Sequence, residues 1–290
     1  MAASSKSISL PCRSHPTTLH IEELLRKMKI TSAEATSSDA ICSGLSQMKT
    51  LYGCMDDLLA SSTNQILMSQ EQNKKWVNEL VDESVMFLDI CGSISDMLSE
   101  SKEHSRDIYS SLRRRKGDLN VENSITKYSC FRKKMKKDVK GLVASLKQVD
   151  NMITGAGSVV VDSDNHQLVA VIRALIGVSE MTVLVFESLL MFLSMPVSKQ
   201  NTWSIVVSKL VHKRRVACED HQEQVVENEF ERVDEALRKL CEDGSLSDVQ
   251  IAQCKLETLG AQIERMESGL ECMFRCLVQT RVSLLNIISK

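Results

Sequence analysis

Aromatic side chains are scarce in this chain, at 4% of residues, and there are only three prolines, Pro11, Pro16 and Pro196. Sheet-built folds draw heavily on aromatic and β-branched residues, so this poverty argues against a sandwich or barrel. From Thr17 to Met195 no proline locks φ or removes a backbone donor, so nothing there obliges a helix to stop. An excess of one charge is missing too. The net charge of −2 withholds the bulk reason to expect nucleic acid. The catalytic fingerprints are also absent: no P-loop, no dinucleotide-binding glycine motif, no Gly-x-Ser-x-Gly elbow and no His-Glu-x-x-His. Cys272 and Cys276 share a helix face, but a soft metal site needs four ligands and no histidine lies within fifty residues of them. Cys218 and His221 are close in sequence but have no second pair. These absences lead to the expectation of a non-enzymatic protein with no cofactor and no metal.

What is present suits a soluble, core-forming chain. Hydrophobic residues make up 43% and charged residues 26% of the 290 positions, a mixture that folds rather than staying disordered. The ten cysteines are scattered, which fits a reducing compartment, with most thiols expected as small core residues. The expected location is therefore intracellular, the cytoplasm first, with peripheral-membrane, nuclear and plastid placements as alternatives. Residues 1–16 read as a flexible Ser/Pro arm without a continuous apolar leader. Their lack of acid also leaves a transit peptide open.

Apolar residues then recur at helical steps of three and four. Residues 17–29 form a first candidate helix. In the second, Ile41, Leu45, Met48, Tyr52, Met55 and Leu59 share one face, with Ser38 or Asp39 as N-cap. Residues 61–64 interrupt, and Thr63 is the next expected cap. A longer helix carries Val77, Leu80, Ser84, Phe87, Cys91, Ile94 and Leu98, continued by Ile108 and Leu112, and Gly92 offers it a bend or a close approach. After Gly117 and Asp118, residues 119–150 form a basic amphipathic helix whose inner face is Phe131, Met135, Val139, Leu142, Leu146 and Val149. Residues 151–165, with Gly155 and Gly157, read as a loop between a 17–150 bundle and a 166–290 region that packs on it. Val159 to Val161 is a short strand candidate without a visible partner.

The stretch 168–194 is long and apolar enough to raise the membrane question. Arg173, Glu180 and Glu187 are spaced seven apart and form one charged stripe, which favours a buried core helix over a span. Residues 203–211 read as a short helix. Near the end, Val249, Ala252, Leu256, Leu259, Ile263, Met266, Leu270, Met273, Leu277, Thr280, Leu284 and Ile287 alternate at three and four without a missed step. Such a seam predicts one long helix with coiled-coil-like packing. The helix before it, near 222–241, ends at Gly244, with Ser245 or Ser247 as the following N-cap, so a helical hairpin is expected. The seam's partner is then that antiparallel neighbour rather than a second chain, although an oligomer stays open. The fold class is all-α: an elongated multi-helix bundle of long antiparallel helices ending in a coiled-coil-like hairpin.

Charge is unevenly distributed along the chain. Residues 101–150 hold fourteen Lys and Arg against six acids, whereas residues 217–271 hold fifteen acids against five bases. Three basic clusters are candidate contacts: Arg113, Arg114, Arg115 and Lys116; Lys133, Lys134, Lys136 and Lys137 beside Arg132; and Lys213, Arg214 and Arg215. The opposed regions either neutralise each other inside the fold or present a basic stripe to an acidic protein or an anionic membrane. No aromatics are interleaved to stack on bases, which disfavours nucleic acid.

Several segments together resemble a plant-specific family, domain of unknown function two-four-one, grouped with the BYPASS proteins of plant development. They are Ser7 to Pro16 (Ser-Ile-Ser-Leu-Pro-Cys-Arg-Ser-His-Pro), Glu71 to Val77, Leu88 to Gly92, Leu112 to Gly117, Trp203-Ser204 with Val207 to Leu210, Val216 to Glu219, and Thr280 to Ile287. The resemblance implies a helical plant protein of root and shoot development without catalytic activity, and it transfers no site residue. Two functions follow as expectations: an adaptor or regulator that binds an unidentified protein, and, as the alternative, a peripheral membrane protein held by its basic helices.

Overall fold

The computed structural model describes residues 16–31, 37–114, 118–159, 165–194 and 228–289. Among the described residues there are eight helices and no strand: α1 (Pro16–Thr31), α2 (Ser38–Ala60), α3 (Ser62–Met68), α4 (Glu71–Arg113), α5 (Asp118–Val159), α6 (His166–Ser194), α7 (Glu229–Asp243) and α8 (Leu246–Ile288). The protein is all-α. The expected arm, apart from Pro16, and the expected helix over 203–211 lie outside the described residues.

Local chemistry sets the helix ends. Ser37, one residue before the expected caps, accepts the Ala40 N–H at 3.2 Å. The Ser38 hydroxyl is instead buried and donates to Glu229 Oε1 at 2.7 Å. Ser61, not Thr63, is the break after α2, with extended backbone. Asn64 and Gln65 donate their side-chain amides to the Leu58 and Leu59 carbonyls, covering the last turn of α2. Gly244 is left-handed at φ 60°, a conformation that costs glycine little, and Ser245 opens α8 with a reciprocal capping box to Asp248.

Five helices close a ring in the order α8–α4–α5–α6–α2, each packed on the next, with α2 completing the circuit against α8. An odd ring cannot alternate direction throughout. Contacts from Leu45 to Gly269 and from Thr280 to Asp56 show that α2 and α8 are its parallel pair. Across the centre, the rings of Phe87 (α4) and Phe186 (α6) meet edge to face at 5.9 Å. α1 covers α2 and α6 from outside. Where α6 ends, α7 takes over, packing on α8 and bonding to α5. One end of the molecule is therefore a five-helix ring, and the other is an α4–α5–α7–α8 bundle.

Eleven of the twelve predicted seam positions on α8 are buried, and Val249 is partly covered. Their partners differ from the expectation. The seam faces α4 and α2 over most of its length, and α7 covers only its beginning, because 15 residues of α7 cannot line 43 residues of α8. The loop expected over 151–165 is helical to Val159, since α5 runs on through Gly155 and Gly157. Val159 accordingly belongs to a helix, while Val160 and Val161 lie outside the described residues. Gly92 meets no neighbour. The close approaches fall at Gly177, where an added Cβ would lie 2.5 Å from Leu25 Cδ1, and at Gly269, where it would lie 2.9 Å from Leu45 Cδ1 and 3.0 Å from Leu45 Cβ.

Candidate functional site

The basic clusters separate into three kinds of environment. Arg113 and Arg114 are exposed at the end of α4, whereas Arg115, Lys116, Lys213, Arg214 and Arg215 lie outside the described residues. Arg132 is no surface cation: it is 4% exposed. Its guanidinium donates to the Leu193 carbonyl at 2.8 Å, pairs with Asp234 at 3.1 Å and lies 4.3 Å from the centre of the Phe230 ring. Tyr128 adds a hydrogen bond to the other Asp234 oxygen at 2.8 Å. Asn228 caps α7 and also donates to the Phe192 carbonyl at 2.9 Å, and Phe192 meets Phe230 edge to face at 5.3 Å. Together these contacts pin the C-terminal end of α6 and the N-terminal end of α7 to the middle of α5. Every strong donor in the cluster has a partner, as burial of an ion pair requires.

Lys136 stands half-buried beside this joint, and burial followed by the nearby Arg132 charge lowers its pKa. Lys134 reaches across to Glu100 on α4 at 3.7 Å. Lys133 and Lys137 of the α5 cluster are exposed, as Lys134 is. Two lysines not among the sequence candidates, Lys140 and Lys147, follow at steps of three and seven and continue the same stripe. The signal was available in the spacing: cations recur with the helical period on the side opposite Phe131, Met135, Val139 and Leu146.

Part of the charge asymmetry is neutralised within the fold. On α4, Lys102 pairs with Glu267 and with Glu264 at 3.8 Å, Arg106 pairs with Glu264 at 2.7 Å, and the Tyr109 hydroxyl donates to Glu257. All these acids come from α8, so the basic and acidic regions do meet along the α4–α8 contact.

Inside the ring, Glu83 is 5% exposed. Burial pushes its carboxyl up to about 7, against the opposing pull of a hydrogen bond from Ser179. Tyr52 lies in the same core. Thr182 donates its hydroxyl to Val178 O at 3.0 Å, so the 2.9 Å contact to Tyr52 has the tyrosine donating. Desolvation first raises the Tyr52 pKa, which keeps the phenol neutral.

The cysteines depart from expectation. Of the eight described, all free, only Cys91 is buried, its thiol pushed up to about 12 by desolvation. Cys130, Cys241 and Cys254 are exposed, and Cys42, Cys54, Cys272 and Cys276 are half-covered. Burial also raises Cys276, which disfavours a thiolate. Cys218 and His221 lie outside the described residues. Among the described residues no three His, Cys, Asp or Glu side chains cluster as metal ligands would. A crevice between α1, α2 and α6, lined by Met28, Ile41, Gly44, Met181 and Val185, has a volume of only about 40 Å³.

α6 is long and apolar enough to cross a membrane, but most of its surface is covered by α1, α2 and α5. Glu180 on its charged stripe pairs with Lys29 of α1 at 3.6 Å, and Arg173 faces solvent. A further surface was not singled out from the sequence. Phe274, Val278, Val282 and Leu285 form a row on the outer side of α8, each 40–45% exposed. The signal was the second apolar period running beside the buried seam.

These features define the class: an all-α bundle of long helices around one shared core, with a pinned joint, a lysine stripe and an apolar stripe. Residues 44–287 match the family model for Protein BPS1. The chain belongs to this BYPASS-related family of plant developmental proteins. The match takes in all the resembling segments quoted above except Ser7 to Pro16. No curated protein and no solved structure matches the chain.

Proposed function

We propose that this chain is a non-enzymatic, cytoplasmic helical adaptor of root and shoot development that works by binding another protein. Family membership supports the developmental setting. The observation that carries the adaptor reading is the apolar row on α8. Isolated exposed apolar residues are ordinary, but four in register on one helix face suit an interaction surface. Their spacing of four, four and three accepts an amphipathic partner helix with anchors at the matching period. Beside the row Arg275 pairs with Glu271 and Arg281 donates to the Val81 carbonyl, so the charges there are already matched and the complement is an apolar, weakly charged helix.

The test is genetic complementation in a plant line lacking this protein. Wild-type chain restores root and shoot growth, whereas Val278→Asp with Val282→Asp accumulates to the same level, keeps its helical circular dichroism and fails to restore it. Restoration by the double variant would remove the α8 row from the function.

A further inference from the structure

We infer that the apolar row on α8 pairs with the same row of a second copy of this chain, antiparallel across a twofold axis near residue 280. The inference rests on the reading of that row as an interaction surface, and it names the occupant.

Three observations support it. The first is register. Phe274, Val278, Val282 and Leu285, all exposed on α8, span about 16 Å along the helix at 1.5 Å per residue. In an antiparallel pair, Phe274 of one copy comes level with Leu285 of the other, and Val278 with Val282. The two pairings share one midpoint to within half a residue. All four anchors therefore find apolar partners in a single register, as a self-complementary twofold interface requires.

The second observation is size. Along the row the order is large, small, small, large. Phe274, Val278 and Val282 lie on one ridge of four-residue steps, and two such ridges cross at about −50°, closest at the crossing and diverging away from it. The valines stand at the crossing, where space is least. Phe274 and Leu285 stand where the helices separate and larger side chains fill the gap. A partner of unrelated sequence would impose no such symmetry on the row.

The third is charge. The same register sets Glu271 against Ser289, Arg275 against Leu285 and Arg281 against Gln279 of the other copy. Along this stretch, then, no two like charges of α8 face each other. Arg275 keeps its own Glu271, and its apolar stem is long enough to lie over the facing leucine. Four side chains on three turns cover less than the usual interface of about 800 Å² per partner. The dimer is accordingly reversible and concentration-dependent.

The experiment is sedimentation equilibrium of the full-length chain over a concentration series reaching about 100 µM, within the range where small interfaces associate. Expected is a mass that rises from one chain towards two. Val278→Lys and Val282→Glu, each keeping its helical circular dichroism, associate about tenfold more weakly or worse, because each homodimer covers two unpaired charges. Mixed in equal amounts, the two variants regain association. Across one half of the twofold the introduced lysine then faces the introduced glutamate, and across the other half valine meets valine. A parallel pair would face like positions and show no recovery. Ile66→Asp, at a 66% exposed site on α3, leaves association unchanged.

Four results would overturn the inference: a wild-type chain that stays monomeric throughout, undiminished association of either single variant, no recovery in the mixture of folded variants, or equal loss in Ile66→Asp. A monomeric chain whose Val278→Asp, Val282→Asp form still fails complementation overturns the pairing and leaves the row as a surface for a different protein. A dimer lost in that form, with growth fully restored, supports the pairing and removes the row from the plant function.

Discussion

The two ends of this bundle are held together by different physics. In the five-helix end, α2, α4, α5, α6 and α8 close around side chains such as Phe87, Phe186, Leu45 and Leu270, with one carboxyl, Glu83, enclosed among them. In the other end, α7 stands where α6 has stopped, and a buried ion pair with hydrogen bonds to carbonyls makes the join. The apolar end tolerates changes of shape in proportion to volume. The polar end is all-or-none, because removing one member strands the others away from water.

The largest expected effect follows from that contrast. Arg132→Ala leaves the Leu193 carbonyl without its donor and the Asp234 carboxylate with Tyr128 but no cation, and is expected to cost about 3–5 kcal/mol. Urea unfolding would measure it, and hydrogen exchange should show the loss concentrated at α7. Arg132→Met combined with Asp234→Asn should recover much of the loss. If Arg132→Ala costs less than 1 kcal/mol, the joint is not what holds α7.

The second prediction sharpens the apolar end. Glu83 has a folded pKa of about 7 against 4.5 when unfolded. Between these values the unfolded chain releases its proton first, so stability falls as pH rises from 4.5 to 7 and is level above. The whole penalty, at 1.36 kcal/mol per unit, is about 3 kcal/mol. Glu83→Gln should thus leave stability nearly unchanged at pH 4.5 and raise it by up to about 3 kcal/mol at pH 8. A gap between variant and wild type that does not grow with pH would show that Glu83 is not titrating in the core.

Smaller effects test the packing. An alanine at Gly269 would push against Leu45 Cβ, which is anchored to the backbone, whereas one at Gly177 meets the movable tip of Leu25. Gly269→Ala should cost about 1–2 kcal/mol despite its better helix propensity, and Gly177→Ala should be close to neutral. Chemical denaturation of both variants decides whether α2 and α8 really touch this closely. Smallest is Ser245→Ala, which removes the cap of α8 and should lower stability by about 1 kcal/mol in the same assay.

Much of this architecture could be read from the residues. The α8 seam, the inner faces of α2, α4 and α5, and the Gly244–Ser245 turn all follow from local periodicity and capping chemistry, and the structure places them accordingly. The errors share a cause. Gly155 and Gly157 look like a loop because glycine weakens a helix, yet the weakening is small enough for α5 to continue. Arg132 looks like its lysine neighbours until α6 and α7 supply a carbonyl and a carboxylate for it. Nor did the spacing of Gly177 and Gly269 distinguish them from Gly92, since what matters at each is a side chain distant in sequence. The lysine stripe was half legible: counting basic clusters found Lys133 and Lys137, and following the helical period would have added Lys140 and Lys147.

By itself the sequence determined that the chain makes long amphipathic helices, which side of the main ones is apolar and where the Gly244–Ser245 turn falls, because these depend on neighbours within a few residues. The tertiary structure alone decided that α8 lies against α2 and α4, that Arg132 is a buried pin rather than a surface charge, and that burial pushes the Glu83 carboxyl up to about 7. Each of those depends on groups brought together from far along the chain, and burial changes the energy of a charge far more than any local pattern can express.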